Sequence, residues 1–203
     1  NDFQEMVSSI ALGLRVTSIN RGILVLFEHD SQNKVNSMRV AANWYSEAGS
    51  PPPPVGTEYM PTVYQRAFLT PNPIFIDDLK DPSGDRSLHA IFNQQRIGSM
   101  AILPLWAGKQ QLGVLLLESE EKHAFSSSEI RSIPSLVDQM ATSVENLRLF
   151  EQTQVALAET EHLYKITNGI SQAIGPQDLA RLVAENILPK NVDRVSLYSV
   201  LNS

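Results

Sequence analysis

Acidic and imidazole side chains are the groups of this sequence that could support acid–base or metal chemistry. Asp77 and Asp78 are adjacent carboxylates after a short apolar run, and a pair of this kind can serve general acid–base catalysis. The pattern also fits the end of a strand and the cap of the turn after it, and we favour that interpretation. The four histidines fall in separate predicted elements, without the clustered spacing of metal ligands: His29, His89, His123 and His162. The sequence therefore predicts no metal site.

The composition excludes several classes of function. The chain of 203 residues contains no cysteine, which removes disulfides, thiolate metal sites and thiol nucleophiles. Its 16 basic and 22 acidic residues give a net charge of −6, whereas nucleic-acid binding needs a basic surface. No apolar run approaches the ~18 residues of a membrane span, and no signal-peptide pattern is visible. We therefore expect a cytoplasmic protein that neither binds nucleic acid nor inserts into a membrane.

Any ligand-binding residues must be positioned by a sheet, and the stretch 97–119 predicts its centre. Two apolar runs flank the polar link 107–111, a pattern typical of a β-hairpin with a loop of about three to five residues that contains Gly. The run 112–117 is apolar at nearly every position, which predicts a strand buried on both faces. Pro104 lacks an amide donor, so it requires an edge position or a bulge.

Periodicity predicts the other elements of this domain. Amphipathic spacing favours helices at 2–15 and 62–69, and Asp85 is placed to begin another helix that runs to about residue 95. Apolar runs predict three further strands, at 22–27, 35–45 and 74–76.

Ser126 and Glu129 form a capping-box pattern that predicts the start of the longest helix. Six apolar side chains of this helix alternate spacings of three and four: Ile130, Ile133, Val137, Met140, Val144 and Leu147. This is a heptad seam long enough to indicate a partner helix, so we predict a homodimer that forms through these residues. Pro134 removes an amide donor about two turns into the helix and predicts a kink or a break there.

A repeated pattern suggests the domain boundaries. The pair Asn20-Arg21 precedes an apolar run, and Asp193-Arg194 precedes a similar run near the end of the chain, each after an amphipathic helix. Repetition of a helix-then-strand opening predicts that a second copy of the domain begins after about residue 160. We therefore expect one domain at 1–150 that lacks its leading helix, a helical linker at 151–162, and the N-terminal fragment of a second domain at 163–203.

In this order, the motifs resemble those of the GAF domain, a ligand-sensing module of signalling proteins. The resemblance covers about residues 1–150 and rests on GILVLFEHD, Val55-Gly56-Thr57, PIFIDDLKDP, IGSMAILPLWAGKQQLGVLLLES and the helix that begins FSSSEI. It implies an α+β fold with an antiparallel GAF-type (PAS-like) sheet of five or six strands, helices on one face and a long C-terminal linker helix. It also implies a parallel dimer bundle of the terminal helices, and a small-molecule pocket on the other face under residues 59–95.

Three chemistries known in GAF domains can be compared with this sequence. Domains that bind cyclic nucleotides share an Asn-Lys pair followed by Phe and an Asp-Glu pair. Here Phe125 and Glu129 are present, but Ile130 replaces the last acid and no Asn-Lys precedes them, so we do not expect cyclic-nucleotide binding. Bilin-binding domains attach the pigment through a Cys next to a His; Leu88 precedes His89 here, which excludes a covalent bilin and leaves noncovalent bilin or haem open. Methionine sulfoxide reductases of this family need thiols, which the chain lacks.

Six side chains are candidates for lining the implied pocket: Tyr59, Tyr64, Phe68, His89, Phe92 and Met100. The alternative is that they fill the core, because many GAF domains have a collapsed pocket. We predict a non-enzymatic regulatory domain of a signalling protein, which dimerises through its terminal helices and relays small-molecule or partner state to a downstream output domain. A ligand-free structural dimerisation module is the alternative. The sequence identifies no particular cofactor.

Overall fold

The computed structural model describes residues 2–13, 19–47, 49–81 and 96–172, the single positions 84, 88, 92 and 175, and the stretches 177–178 and 180–182. The elements defined within these residues are α1 Asp2–Gly13, β1 Arg21–His29, β2 Val35–Tyr45, β3 Glu58–Tyr59, α2 Pro61–Phe68, β4 Ile74–Ile76, β5 Ser99–Ala107, β6 Gln110–Ser119 and α3 Ser127–Gln172. The strands and the short helix predicted before residue 77 are confirmed to within a few residues. Most of the helix predicted at 85–95 lies outside the described residues.

The six strands form one sheet in the order β3-β2-β1-β6-β5-β4, and every neighbouring pair is antiparallel. β1 pairs with β2 on one side and with β6 on the other, so the two most apolar runs of the sequence lie side by side in the middle. The predicted α+β class with an antiparallel sheet of five or six strands is therefore confirmed.

Alternate residues of the central strands enter two separate hydrophobic clusters. On one side, which we call the helix face, Leu24 and Leu115 pack with buried residues of α1 and α3. On the other side, which we call the covered face, Ile23 and Leu116 pack with buried residues of α2. Residues 111–119 of β6 are all buried, which confirms that this strand is covered on both faces.

The hairpin between β5 and β6 is tighter than predicted. Ala107 pairs with Gln110, so the turn contains only Gly108 and Lys109 rather than three to five residues. Gly108 has a φ of 57°, and Gly at the first position of a two-residue loop is typical of a type II′ turn. The predicted loop length is wrong because Ala107 and Gln110 extend the ladder, although their composition resembles that of a loop.

Pro104 satisfies both conditions that its missing amide donor imposes. β4 pairs with residues 100–102 of β5, so Pro104 lies beyond the end of β4, where no other strand of the described residues pairs with β5 on that side. The register between β5 and β6 also shifts immediately after Leu105, which places a bulge next to the proline. The prediction of an edge position or a bulge is therefore confirmed.

The start of α3 has the predicted capping box. The amide of Ser126 donates to Glu129 Oε2 at 2.7 Å, and the amide of Glu129 donates to Ser126 Oγ at 3.2 Å. The helix then runs through Pro134 without interruption, so the predicted break is wrong, whereas the kink stays a prediction. Ile133 and Val137 are buried on either side of the proline, and their packing in the helix-face cluster holds the helix on the sheet at this point.

The residues of the predicted dimer seam require a correction. Four of the six are at most 3 % exposed and belong to the helix-face cluster of the chain itself: Ile133, Val137, Met140 and Val144. Ile130 is 44 % exposed, and Leu147 is half-buried. A side chain that fills the core of its own domain is not available to a partner helix. The spacing of three and four therefore identified a real apolar stripe, but its partner is the sheet.

The chain divides into two compact units, Asn1–Leu147 and Arg148–Ser203. In the second unit, residues 177–178 and 180–182 are helical, and a Cβ at Gly169 would lie 2.0 Å from Leu182 Cδ1. Leu182 can therefore pack this closely on α3 only because residue 169 is a glycine. The predicted strand at 195–201, and with it the opening strand of a second domain, lies outside the described residues.

Two isoleucines of α3 test the intrachain role of the seam. We expect Ile133→Ala to lower the free energy of unfolding by about 2–5 kcal/mol, because it leaves a cavity in the core. Ile130→Ala, three residues away on the same helix and largely exposed, is expected to cost less than about 1 kcal/mol. Chemical denaturation at several protein concentrations measures both. Equal losses, or a loss for Ile133→Ala that disappears on dilution, would contradict the assignment.

Candidate ligand-binding face

An aromatic cluster lies on the covered face of the sheet. Tyr59 ends β3, and its ring centroid is 4.6 Å from that of Tyr64 and 5.7 Å from that of Phe68. Tyr64 and Phe68 stack at 5.3 Å, as expected for residues four apart on α2. Phe92 extends the cluster, with its ring 6.3 Å from that of Phe68. These distances are those of favourable aromatic pairs.

The structure brings together five of the six predicted pocket residues. Met100 belongs to the same covered-face cluster as the aromatic side chains and is completely buried, as is Phe68. His89 lies outside the described residues, but its neighbour Leu88 is buried in this cluster. The side chains therefore contact one another on the predicted face of the sheet, whereas their role in ligand binding stays a prediction.

A buried ion pair lies at one end of the same face, and the sequence analysis did not identify it. Arg21 begins β1 and pairs with Glu118 of β6. Arg21 Nε lies 3.0 Å from Glu118 Oε2, and both side chains are at most 6 % exposed. Met100, which is opposite Glu118 on β5, connects the pair to the aromatic cluster. The candidate site therefore combines an apolar, ring-lined surface with two opposite charges.

The hydrogen bonding of Arg21 is incomplete. Its Nη1 donates to the carbonyl of Ser50 at 3.3 Å. Within the described part of the chain, Nη2 has no hydrogen-bond partner, and Nε, although close to Glu118, is not aligned for a hydrogen bond. A buried donor without an acceptor costs about 1–3 kcal/mol. Arg21 thus retains the capacity to donate to an acceptor on the covered face.

Burial changes the titration of this pair and of its neighbour. Desolvation raises the pKa of Glu118 to about 7, even though the Arg21 guanidinium acts in the opposite direction. Burial also raises the pKa of Tyr59, and the nearby carboxylate of Glu118 adds to the increase. The desolvation penalty of a buried ion pair can exceed the attraction between its members, and here it outweighs both the charge of Arg21 and the close contact with its guanidinium, which lower the pKa of Glu118.

The sequence carried one signal for this pair. Arg21 is two residues from Ile23 of β1, and Glu118 is two residues from Leu116 of β6, so each charged residue lies on the same face of its strand as a buried apolar residue. A charged residue that keeps the parity of buried apolar neighbours is a candidate for a buried charge. Recognising the two as partners requires the register between β1 and β6, which the sequence alone does not provide.

The adjacent aspartates have the structural role that we favoured. Asp77 Oδ1 accepts a hydrogen bond from the amide of Phe125 at 3.0 Å, and Asp78 Oδ1 accepts one from the amide of Lys80 at 2.9 Å. Lys122 Nζ lies 3.4 Å from Asp78 Oδ2. The contacts with Phe125 and Lys122 connect the end of β4 to the segment before α3, and the contact with Lys80 caps the turn after β4.

The residues compared with the cyclic-nucleotide motif also have structural roles. Phe125 is buried in the helix-face cluster, and its ring lies 5.1 Å from that of Phe75. Burial raises the pKa of Glu129, but hydrogen bonds from Ser126 and His123 outweigh burial and hold the pKa below its ordinary value. Phe125 as a packing residue and Glu129 as a capping residue are therefore confirmed.

The described residues offer neither a metal cluster nor a membrane-spanning helix. Among them, no group of three or more His, Asp or Glu side chains is arranged to hold a metal ion. The helices that they form are all too short or too polar to cross a bilayer.

A six-stranded antiparallel sheet, with a long helix on one face and an aromatic-lined covered face, defines an open-sheet α+β domain. The family model described as GAF domain matches residues 1–145. The chain therefore belongs to the GAF domain family. Formate hydrogenlyase transcriptional activator from Salmonella typhimurium is 23 % identical over 186 residues, which cover 86 % of this chain and 26 % of that protein. The chain thus spans about a quarter of the length of the curated relatives that it matches.

Solved structures with this fold belong to proteins with different activities. The GAF domain of a two-component sensor histidine kinase from Bacillus halodurans matches 72 % of this chain and 96 % of its own, with a TM-score of 0.56 and 17 % identity. The phycocyanobilin-bound GAF domain of a cyanobacterial phytochrome matches 71 % of this chain and 84 % of its own, with a TM-score of 0.57 and 16 % identity. Type II free methionine-R-sulfoxide reductase from Thermoplasma acidophilum matches 71 % of this chain and 91 % of its own, with a TM-score of 0.53 and 18 % identity. At these identities the likeness establishes the fold alone.

The residues present do not fit a covalently attached bilin. The chain contains no cysteine, so no thioether bond to a pigment can form within it. Leu88, which stands where the attachment residue would be, is a buried part of the covered-face cluster.

The raised pKa of Glu118 predicts a specific pH dependence of stability. An acid with a pKa of about 7 when folded and near 4.5 when unfolded favours the folded state at low pH, and this contribution is lost as the pH rises from about 4.5 to about 7. Glu118→Gln removes the titration. We expect the wild-type free energy of unfolding to fall relative to that of the variant by up to about 3 kcal/mol across this window.

Chemical denaturation at several pH values measures this difference. Glu28→Gln, which removes one negative charge at an exposed position of β1, controls for net charge and is expected to follow the wild-type profile. Parallel pH profiles for the wild type and Glu118→Gln would show that the Glu118 carboxylate does not titrate in this range.

Proposed function

We propose that this chain is a non-enzymatic sensory and regulatory domain of a signal-transduction protein, which relays small-molecule or partner state through α3. The observation that carries the proposal is the continuity of α3. This helix packs on the sheet through Ile133 and Val144 and continues as one helix to Gln172. A helix anchored on a sensor core is suited to pass a change in packing to a downstream element. The names of the transcriptional activator and the sensor kinase described above agree with a role in signalling.

The strands offer a short physical route between the two faces. Met100 and Ile102 of β5 belong to the covered-face cluster, whereas Ala101 and Leu103 between and beyond them belong to the helix-face cluster with α3. A ligand that shifts β5 on one face therefore changes packing against α3 on the other. The relay is a small change in the register or crossing of the helix, which biases a two-state element downstream.

The proposed ligand combines an apolar ring with a hydrogen-bond acceptor. The aromatic cluster around Phe68 suits the ring, and the unsatisfied donors of Arg21 suit an acceptor or an anionic group. No enzymatic step is proposed, because the sequence contains neither a cysteine thiol nor a phosphate-binding loop motif. The methionine-R-sulfoxide reductase with this fold provides no argument for the same activity here, since that chemistry needs thiols.

Native mass spectrometry tests ligand binding directly. We expect the purified chain to carry an added mass that denaturation removes, because a noncovalent ligand does not survive unfolding. Adding back the identified compound is expected to raise the melting temperature, since a ligand that binds only the folded state stabilises it. A chain without added mass would contradict ligand retention and favour the ligand-free structural dimerisation module.

The part of α3 beyond the domain core presents a second apolar stripe, which is our candidate for the dimer interface. Its members repeat every seven residues in three rows and are all exposed: Leu149, Ala156, Leu163 and Ile170; Phe150, Leu157 and Tyr164; Thr153, Thr160 and Thr167. With the threonines at position a, the other rows fall at d and e of a heptad, which is the pattern of a helix that packs on another helix. We propose a homodimer that pairs this stripe, which we call the distal stripe, with its copy in a second chain.

A matched pair of charge substitutions tests the distal stripe. Leu163→Glu introduces a charge at a d position, and we expect it to raise the dimer dissociation constant at least about tenfold, because it forfeits roughly 1.5–3 kcal/mol of apolar burial per chain. Val155→Glu is an equally exposed position of the same helix that lies outside the stripe, and it should leave the dimer intact. Sedimentation equilibrium measures both constants. A wild-type monomer at high concentration, or equal effects of the two substitutions, would refute this interface.

We also propose that the C-terminal residues open a second GAF domain. The support is the repeated Asn20-Arg21 and Asp193-Arg194 pattern, to which the buried position of Arg21 at the start of β1 adds a structural reason. In a second copy of the domain, Arg194 would occupy the position at which Arg21 pairs with Glu118 in the first. Residues 163–203 would then be the beginning of that second domain, after the helical linker 151–162.

A further inference from the structure

A cavity of about 480 Å³ lies at the end of the sheet opposite the Arg21–Glu118 pair. It is bordered by the turn between β1 and β2, the turn between β5 and β6, and the loop that follows α2. Its volume lies within the usual range for small-molecule sites. None of the predicted pocket residues lines it, so it is distinct from the aromatic cluster.

A β-bulge sets the chemistry of one wall. Leu105 pairs with Gly113, but the next residue, Trp106, pairs with Gln111, so Leu112 is the extra residue. Leu112 joins the helix-face cluster, and polar Gln111 takes the place beside Trp106. The side chain of Gln111 is buried, and its Nε2 donates to the carbonyl of Phe68 at 2.7 Å. The bulge therefore fixes a polar side chain to the end of α2 next to the tryptophan, as bulges near binding sites commonly do.

Trp106 presents an aromatic surface to this cavity. Its side chain is 39 % exposed, although the neighbouring Leu105 is completely buried. An indole that remains this accessible at the mouth of a cavity is suited to stack on a planar ring. The bulge and the short turn at Gly108 hold the tryptophan there, so its exposure is built into the hairpin.

The side chains that line the cavity are all basic or uncharged, although the chain has a net charge of −6. Lys34, Lys109 and His29 line it, and none of the lining residues carries a carboxylate. Within the described residues, neither lysine ammonium lies within ion-pair distance of an acid. Asp30 is nearby in sequence, but its Oδ1 accepts the amide hydrogens of Gln32 and Lys34 at 2.9 Å each. That carboxylate therefore holds the turn that positions Lys34.

We propose that this cavity is a binding site for a small aromatic anion, with its ring stacked on Trp106 and its carboxylate or phosphate held by Lys34 and Lys109. The aromatic wall provides contact area for the ring, and the two ammonium groups provide the charge preference. Gln65 and Gln110, which also line the cavity, are available as polar partners.

Val35 and Leu69 line the cavity and also pack against the covered-face cluster, so the cavity borders the covered face. It contains none of the predicted pocket residues and no residue of the distal stripe, so its test is separate from that of the proposed function.

Naphthoate and its uncharged counterpart naphthamide are the probes for this site. Heteronuclear NMR of the indole N–H groups reports on binding, because the chain has two tryptophans and Trp106→Phe assigns one signal. We expect naphthoate to shift the Trp106 signal saturably and naphthamide to bind several-fold more weakly. The double variant K34Q/K109Q should weaken naphthoate binding about fivefold, the size expected for two exposed charge contacts, and added salt should have a similar effect.

The control is K80Q/K165Q, which removes the same charge from exposed lysines that do not line the cavity. It is expected to bind naphthoate as the wild type does. Equal binding of naphthoate and naphthamide, equal effects of the two double variants, or shifts confined to residues of the aromatic cluster around Phe68 would overturn the proposal. No saturable shift of Trp106 would overturn it as well.

Discussion

The fold depends on the burial of β6 on both of its faces. This strand lies between β1 and β5, and its side chains alternate between the helix-face and covered-face clusters. Neither cluster can form without it, because each takes every second residue of the same apolar run. The close approach of β1 to β6 adds a further condition at Gly113, where a Cβ would lie 2.2 Å from the carbonyl oxygen of Val25. A glycine is therefore required where the two central backbones meet.

A double-sided sheet also explains why a buried ion pair is tolerated at its end. Arg21 and Glu118 occupy positions that would be apolar if the covered face served packing alone. Replacing such a pair by well-packed apolar side chains is often neutral or stabilising, so its presence is not explained by stability. The pair makes one end of the covered face polar and sensitive to protonation, while the aromatic cluster makes the rest of it apolar. This division of one surface suits recognition of a ligand that has two chemically different ends.

Local signals of the sequence were sufficient for much of the architecture. The apolar run of β6, the capping box of Ser126 and Glu129, and the needs of Pro104 each depend on residues close in the chain, and each prediction was confirmed. Contacts between distant residues were not accessible in this way. The pairing of Arg21 with Glu118 depends on strand register, and the surroundings of Trp106 depend on a bulge that leaves no mark on composition. The heptad at Ile133 was misassigned because periodicity defines an apolar stripe without defining whether a sheet or a helix covers it.

The threonine row of the distal stripe limits how two such helices could recognise one another. Thr153, Thr160 and Thr167 each donate to the carbonyl four residues earlier in their own helix. Their hydroxyl hydrogens are thereby used, and a facing helix meets mainly methyl groups. Because the row recurs every seven residues, the helix presents nearly the same surface at intervals of about 10 Å. The threonine row does not by itself select one register between the two helices. The different sizes of Phe150, Leu157 and Tyr164 would have to select it.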